Sequence, residues 1–140
     1  MRFQSAAPVF LVSDIASTLR WYEEKLGFRG DPFPKVPPHA FAILSRDGVE
    51  IMLQALEGHG KSDLYGKRAG GVWNAYVRMQ GVRELHERLS RDPAVTLLEP
   101  LTPQRHGDTD FVVRDPNGYV LVFGEGDGGS RSGGSTAEGP

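Results

Sequence analysis

Two segments of the chain resemble each other: RDGVEIML at residues 46–53 and RDPNGYVLVF at residues 114–123. In each segment a turn pair containing glycine precedes a run rich in apolar residues, a pattern that predicts a tight hairpin turn leading into a strand. The turn glycines, Gly48 and Gly118, are 70 residues apart. A repeat of this kind indicates two copies of one structural module.

A helix is predicted upstream of each repeated segment. The first has an apolar stripe at spacings of four, three and four residues, formed by Ile15, Leu19, Tyr22 and Leu26. Ser13 or Asp14 is its expected N-cap, and Gly27 lies where a left-handed C-cap belongs.

The second helix is expected to begin near Val82 and to stop before Asp92, because a residue that precedes proline avoids the α region.

The remaining apolar segments are short and rich in β-branched and aromatic residues, which predicts strands at residues 7–12, 28–33, 41–44, 49–53, 73–79, 95–98, 111–113 and 119–123. The order strand, helix, three strands therefore occurs twice. This order predicts an α+β fold of two βαβββ modules, at about residues 5–55 and 71–124, within a single domain and joined by a linker at residues 56–70.

The end of the chain differs in composition from the rest. Residues 124–140 include seven glycines among seventeen residues and almost no apolar side chains. Such a segment buries too little apolar surface to offset the entropy lost on ordering. We therefore expect the domain to end near residue 124 and residues 125–140 to form a disordered tail.

Composition excludes several classes of function. The 140 residues are 39% hydrophobic and 24% charged, with a net charge of -2 and no cysteine. The absence of a basic excess argues against nucleic-acid binding, and the absence of cysteine excludes disulfides, thiolate nucleophiles and cysteine-based zinc sites. No long apolar run precedes Asp14, so neither a signal peptide nor a membrane span is expected, and a cytoplasmic location is predicted.

Three stretches point to a known family: AAPVFLVSDI at residues 6–15, the segment from Trp21-Tyr22 to Leu26-Gly27-Phe28, and FVVRDPNG at residues 111–118. With them, roughly residues 5–125 resemble the vicinal oxygen chelate superfamily, which includes glyoxalases, extradiol dioxygenases and bleomycin-resistance proteins. The bleomycin-resistance branch is the most similar. The resemblance implies that each module curls its sheet into a half-barrel, that the half-barrels are paired, and that their concave face holds a ligand or a metal.

The resemblance also implies where metal-dependent relatives place their four ligands, on the first and last strands of each module. These positions fall on Ala7, Met52, Asn74 and Val122. A methyl, a thioether, a carboxamide and an isopropyl group do not provide the imidazole or carboxylate donors that a divalent cation requires. We therefore expect a protein without metal, cofactor or catalytic residues.

Six residues are the expected ligand contacts: Phe41, Glu50, Asn74, Tyr76, Arg78 and His106. The resemblance places Phe41, Tyr76, Arg78 and His106 at positions that are aromatic in the bleomycin-resistance branch. Strand alternation places Asn74, Tyr76 and Arg78 on one face, and places Glu50 on the same face as Met52. Trp21, Tyr22 and Trp73 are expected in the core.

The charges in this set bear on the choice of ligand. Arg78 would repel a cationic drug unless Glu50 offsets it, so a neutral or anionic ligand is at least as plausible as bleomycin. Asp108 and Asp110 lie two residues apart, but nothing near them in sequence completes a catalytic set.

The leading hypothesis is a metal-free protein that binds and sequesters an aromatic antibiotic or a similar small molecule. A divergent glyoxalase- or dioxygenase-like enzyme, or a metal-independent enzyme with Glu50 or His106 as base, is the alternative. A third possibility is a dimer with no ligand. The resemblance implies a homodimer that often exchanges an N-terminal strand, and Pro8 suits an edge position because proline donates no backbone hydrogen bond.

Overall fold

The first module consists of one helix and four strands. A computed structural model describes residues 1–127. The elements of this module are β1 (Val9–Val12), α1 (Ile15–Leu26), β2 (Arg29–Phe33), β3 (Phe41–Arg46) and β4 (Val49–Ala55). They form a sheet in the order β1-β4-β3-β2, in which β1 runs parallel to β4 and the other neighbours are antiparallel.

The second module repeats this arrangement. Its elements are β5 (Ala75–Arg78), α2 (Val82–Ser90), β6 (Thr96–Pro103), β7 (Asp108–Arg114) and β8 (Val120–Gly126), and a short 3-10 helix, Tyr65–Lys67, precedes it. The sheet order is β5-β8-β7-β6, with β5 parallel to β8. The prediction of an α+β fold with two βαβββ modules is confirmed.

Helix α1 forms where the apolar stripe and the caps predict it. Asp14 is the N-cap, and its side chain accepts a hydrogen bond from the backbone N–H of Ala16. Gly27 has a φ of 68° and ends the helix in the left-handed conformation. The stripe is buried against the sheet; Tyr22 is fully buried. The sequence left Ser13 and Asp14 as alternatives, and the structure selects Asp14.

Helix α2 is capped by a residue distant in sequence. Its N-terminal residue Gly81 has no side chain, and a carboxylate oxygen of Glu125 on β8 accepts hydrogen bonds from Gly81 N–H (2.8 Å) and Val82 N–H (3.0 Å). A negative charge at a helix N-terminus satisfies free N–H groups and interacts favourably with the helix dipole. Strand β8 pairs with β7 up to Gly126, beyond the predicted end of the domain near residue 124. The rest of the predicted tail, residues 128–140, lies outside the described residues.

The chain divides into two compact units. One comprises Met1–Leu64 together with Pro116–Tyr119, and the other contains Tyr65–Asp115 and the chain from Val120 onward. In the first unit the Tyr119 hydroxyl accepts a hydrogen bond from Leu11 N–H (2.9 Å) and donates one to the Leu11 carbonyl (2.7 Å). The Tyr119 ring stacks on Phe10 at a centroid distance of 4.1 Å. The turn between β7 and β8 is thus bound to β1.

Some local predictions differ from the structure. Strand β1 begins at Val9 rather than Ala7, and β5 begins at Ala75 rather than at Trp73. Trp73, predicted to be in the core, is 46% exposed because it precedes the strand. In the β3–β4 turn Asp47 has a positive φ of 54°. Aspartate tolerates this conformation better than most residues, because its short polar side chain bonds locally.

No helix within residues 1–127 is long and apolar enough to cross a membrane.

We predict that Asp14→Ala lowers the free energy of unfolding by about 1 kcal/mol, because it removes the side-chain cap of α1. Ser13→Ala is the matched control, since Ser13 is the exposed neighbour that the sequence also allowed as a cap. Urea unfolding of the two variants provides the measurement. Equal losses of stability in both variants would contradict the assignment of the cap to Asp14.

Candidate functional site

A group of polar side chains crosses one face of the second sheet. Tyr76 and Arg78 project from β5, and Asp108 and Asp110 project from β7, with β8 between the two strands. Gly124 on β8 pairs with Arg78 on one side and with Asp110 on the other. A side-chain carbon at Gly124 would collide with the Tyr76 hydroxyl. The missing side chain of Gly124 is therefore what lets Tyr76 reach across β8.

The two carboxylates of this group are buried. Asp108 is 1% exposed and Asp110 is 4% exposed. The Tyr76 hydroxyl lies 2.6 Å from Oδ2 of Asp108 and 3.1 Å from Oδ2 of Asp110, and it is the donor to these oxygens. Gln104 donates a hydrogen bond from Nε2 to Oδ1 of Asp110 at 3.0 Å. These contacts supply part of the hydrogen bonding that buried carboxylates require.

Arg78 neutralises one of the buried charges. Its Nη1 donates to Oδ2 of Asp108 at 2.5 Å. The side chain of Arg78 is 50% exposed, so it links the buried carboxylate to solvent. Charge compensation of Arg78 therefore comes from Asp108, whereas the sequence suggested Glu50 for this role.

The environment of Tyr76 keeps its hydroxyl protonated. Burial raises the pKa of Tyr76 well above its ordinary value, and the hydrogen bond to Asp108 and the charges of Asp110 and Asp108 raise it further. The hydroxyl therefore remains a hydrogen-bond donor over the whole range of physiological pH.

Aromatic rings surround the polar group. The ring of Trp73 lies 5.8 Å from that of Tyr76, and the ring of His106 lies 6.3 Å from it on centroid distances. The Arg78 guanidinium carbon lies 5.2 Å from the Tyr76 ring centroid. Nε2 of His106 is 3.4 Å from the Tyr76 hydroxyl and 3.5 Å from Oδ2 of Asp108. His106 and Trp73 are partly exposed, so this polar end of the site offers solvent both π surfaces and hydrogen-bonding groups.

The other half of the same face is apolar. Its buried floor consists of Val112, Val120 and Val122, and partly buried Tyr65, Tyr76 and Leu98 pack against it. Tyr76 thus belongs to both halves, with its ring on the valines and its hydroxyl on the carboxylates. An apolar floor beside a few oriented polar groups is the usual composition of a small-molecule site.

Three of the six predicted contact residues, Tyr76, Arg78 and His106, come together at the polar end. Asn74 is held by the backbone, because its Oδ1 accepts a hydrogen bond from Val120 N–H at 2.8 Å. Its own N–H donates to the Val120 carbonyl, also at 2.8 Å. Asn74 therefore extends the pairing of β5 with β8.

The other two predicted residues belong to the first unit. Phe41 on β3 lies beside Phe33, with ring centroids 6.1 Å apart. Glu50 on β4 is exposed and lines an open cavity of about 580 Å³, together with Arg29, Arg46, Asp47 and neighbouring residues. Each of the two therefore faces solvent or a cavity within its own unit.

Sequence reasoning noted Asp108 and Asp110 but gave them no role, and it missed Gln104 and the exposure of Trp73. The two aspartates alternate along β7, a signal visible in the sequence, but their partner Tyr76 is more than 30 residues away. A tyrosine on β5 and two carboxylates on β7 become neighbours only because the order of strands in the sheet places β8 between them. Trp73 was missed because its strand begins two residues later than the sequence suggests.

The side chains at the four positions where metal-dependent relatives place their ligands do not fit a metal ion. Of the four implied ligand positions, Met52 and Val122 lie within strands, and Val122 is buried. The one carboxamide among them, Asn74, already accepts a hydrogen bond from the backbone. Among residues 1–127 no group of three or more His, Asp or Glu side chains is arranged to hold a metal ion.

We predict that Tyr76→Phe lowers the free energy of unfolding by about 2 kcal/mol, because two buried carboxylates lose a common hydrogen-bond donor. Tyr65→Phe is the matched control. Its hydroxyl bonds to the exposed Glu99, so its removal is expected to cost about 0.5 kcal/mol. Urea unfolding measures both, and a loss in Tyr76→Phe no larger than that in Tyr65→Phe would count against the buried network.

The raised pKa of Tyr76 predicts how its contribution depends on pH. Above about pH 10 the tyrosine ionises in the unfolded chain but stays protonated in the folded one, so the unfolded state gains stability. The stability difference between wild type and Tyr76→Phe should therefore be full below pH 10 and should shrink at higher pH. Unfolding curves between pH 8 and pH 11 provide the measurement, and a constant difference would contradict the predicted direction.

Solved structures share this fold. TioX from Micromonospora sp. ML1 is 21% identical, with a TM-score of 0.66 over 88% of this chain and 100% of that one. The bleomycin-binding protein from bleomycin-producing Streptomyces verticillus, solved with copper(II)-bleomycin, is 22% identical, with a TM-score of 0.65 over 91% of this chain and 99% of that one. A glyoxalase-related enzyme from Clostridium phytofermentans is 16% identical, with a TM-score of 0.69 over 91% and 98%.

At these identities the solved structures establish the fold and not the activity. No curated protein matches the chain. The sequence profile of one family does match, over residues 5–123. The chain therefore belongs to the Glyoxalase/Bleomycin resistance protein/Dioxygenase superfamily.

Proposed function

We propose that this protein binds and sequesters an aromatic small molecule, such as an antibiotic, without a metal ion. The observation that carries the proposal is the face of the second sheet on which Tyr76, Arg78 and His106 meet over two buried carboxylates. The rings of Trp73 and His106 supply stacking surface, and Arg78 supplies an oriented donor. Sequestration requires affinity and selectivity but no reacting group.

The fixed orientation of the polar groups supports binding. The buried Asp108 holds Arg78 in place, and the Tyr76 ring lies beside the guanidinium. A side chain that is already ordered loses little conformational entropy when a ligand arrives, which improves affinity. The arrangement is therefore suited to recognise a planar molecule by one polar edge.

The charge of the site leaves a wide choice of ligand. The sequence suggested that Arg78 would repel a cation, but its charge is compensated by Asp108 at 2.5 Å. Asp110 adds a second buried carboxyl group beside Asp108. A cationic aromatic ligand is therefore compatible with this site, as is a neutral one. The bleomycin-binding protein of similar fold was solved with copper(II)-bleomycin, which gives an antibiotic ligand as a precedent within the family.

We also propose that the protein is a homodimer and acts in the cytoplasm. Apolar side chains exposed near the start of the chain support the first part: Phe3 is 96% exposed and Val9, on the edge strand β1, is 52% exposed. Exposed apolar residues on an edge strand favour association with another chain.

A metal-independent enzyme is the alternative, favoured by the position of His106 beside a buried carboxylate. Asp108 would orient the imidazole, and the imidazole would act as a general base. The two functions differ in outcome, because a sequestering protein releases its ligand chemically unchanged. Mass spectrometry of the recovered ligand separates them.

The test is a calorimetric binding screen of the purified protein against glycopeptide, quinone and polyketide antibiotics.

For a compound that binds, we predict that Trp73→Ala weakens the affinity about three- to tenfold, because a stacking surface is lost. Trp73→Phe keeps an aromatic ring and should retain most of the affinity. Equal affinities of the wild type and Trp73→Ala would place the ligand elsewhere.

The metal content of the purified protein tests the proposal that binding needs no metal ion. Stoichiometric Zn, Ni, Mn or Fe in the purified protein, together with a thermal shift of several degrees on metal addition, would favour the enzyme. The absence of any binding in the whole screen would contradict sequestration of these compound classes.

A further inference from the structure

Tyr65 lies on the face that the proposed ligand requires. It belongs to the short 3-10 helix before the second module, and it packs against the apolar floor formed by Val112, Val120 and Val122. Tyr76 packs against the same floor. Tyr65 therefore occupies space beside the polar end of the candidate site.

The segment that carries Tyr65 is folded back on itself. Residues 65–71, here named the Tyr65 strap, close through a hydrogen bond from Gly71 N–H to the Arg68 carbonyl (3.0 Å) and another from Arg68 Nη1 to the Gly71 carbonyl (2.9 Å). Gly71 is buried and has a φ of 85°. A side-chain carbon there would lie 2.6 Å from Cζ of the Tyr65 ring, well inside van der Waals contact. The missing side chain of Gly71 thus leaves room for the Tyr65 ring.

The Tyr65 ring meets the valines by apolar packing. Burial and a hydrogen bond with Glu99 both raise the pKa of its hydroxyl, but Glu99 is exposed, so water can replace it as the partner. The contact of the ring with the valines is of a kind that an aromatic ligand of similar size reproduces. A ligand ring in the place of the Tyr65 ring therefore restores the packing on the valines.

From these contacts we infer that Tyr65 is a gate residue of the candidate site, and that a ligand with a planar apolar ring must displace it from the valine floor. The inference rests on the proposed function, since it concerns the same face of the second sheet. It makes Tyr65 a determinant of selectivity. A small polar molecule can contact Arg78 and His106 with the gate closed, whereas a larger aromatic one requires the gate to open.

Displacement of the gate predicts a specific effect on affinity. When only a fraction of molecules has the floor open, the apparent Kd exceeds the intrinsic Kd by the inverse of that fraction. If about one molecule in ten is open, removal of the ring strengthens binding of an apolar aromatic probe about tenfold. A variant that keeps the ring should show no such gain.

The probe for the test is the fluorescent dye 1-anilinonaphthalene-8-sulfonate, titrated against full-length protein. The first pair of variants is Tyr65→Ala and Tyr65→Phe, which differ in the ring but share the loss of the hydroxyl. We expect the dye to bind Tyr65→Ala about tenfold more tightly than Tyr65→Phe. Equal Kd values in this pair would overturn the inference.

A second pair decides the question if Tyr65→Ala does not fold. Gly71→Ala pushes the Tyr65 ring away, whereas Gly70→Ala places a methyl at a nearly identical φ of 84° where the nearest atom, in the Arg68 side chain, is 3.7 Å away. The two variants share the backbone strain and differ in the clash. Tighter dye binding by Gly71→Ala supports the gate, and equal binding overturns it.

The sequestering function and the Tyr65 gate can be contradicted independently of each other. Antibiotics that bind the wild type with unchanged affinity in Tyr65→Ala would support sequestration and contradict the gate. Dye binding that rises only when the ring is removed, with no antibiotic bound by any variant, would support the gate and contradict sequestration.

Discussion

Two carboxylates buried on one strand set the requirements for the rest of the second module. A buried aspartate costs free energy unless cations and donors reach it, so Asp108 and Asp110 require Arg78 and Tyr76 on β5 to point toward them. Strand β8 separates the two, and only a residue without a side chain at position 124 leaves the path open. A local substitution at Gly124 would thus act on the entire polar group.

The same network determines what the surface offers to a ligand. Asp108 orients the guanidinium of Arg78, which is half exposed above the carboxylates. The hydroxyl of Tyr76 is directed inward to the aspartates, so its ring, and not its polar tip, is the part that faces outward. A face of this kind selects by shape and stacking, with a few directional hydrogen bonds. The valine floor completes it, and the Tyr65 strap shields that floor from water.

Contacts between residues far apart in sequence also define the ends of elements. Glu125 caps α2 from β8, more than 40 residues away, in the part of that strand where β8 pairs with β7 up to Gly126. Asp14 caps α1 from the adjacent position, a purely local arrangement. The first kind of cap depends on the sheet being formed, whereas the second depends only on the chain itself. The two helices of the repeated module therefore begin by different means.

The sequence alone determined the architecture, because periodicity, caps and turn pairs are local properties that the chain carries with it. The repeat around Gly48 and Gly118, the stripe of α1 and the order of elements were sufficient for an α+β fold of two modules. The tertiary structure decided the site. Asp108 and Tyr76 become neighbours only when β8 pairs with both of their strands, and the hydrogen bond of the Asn74 side chain to Val120 N–H likewise depends on the pairing of β5 with β8. Side-chain proximity across a sheet follows from strand order and register, and these depend on burial of the whole sheet rather than on any short run of residues.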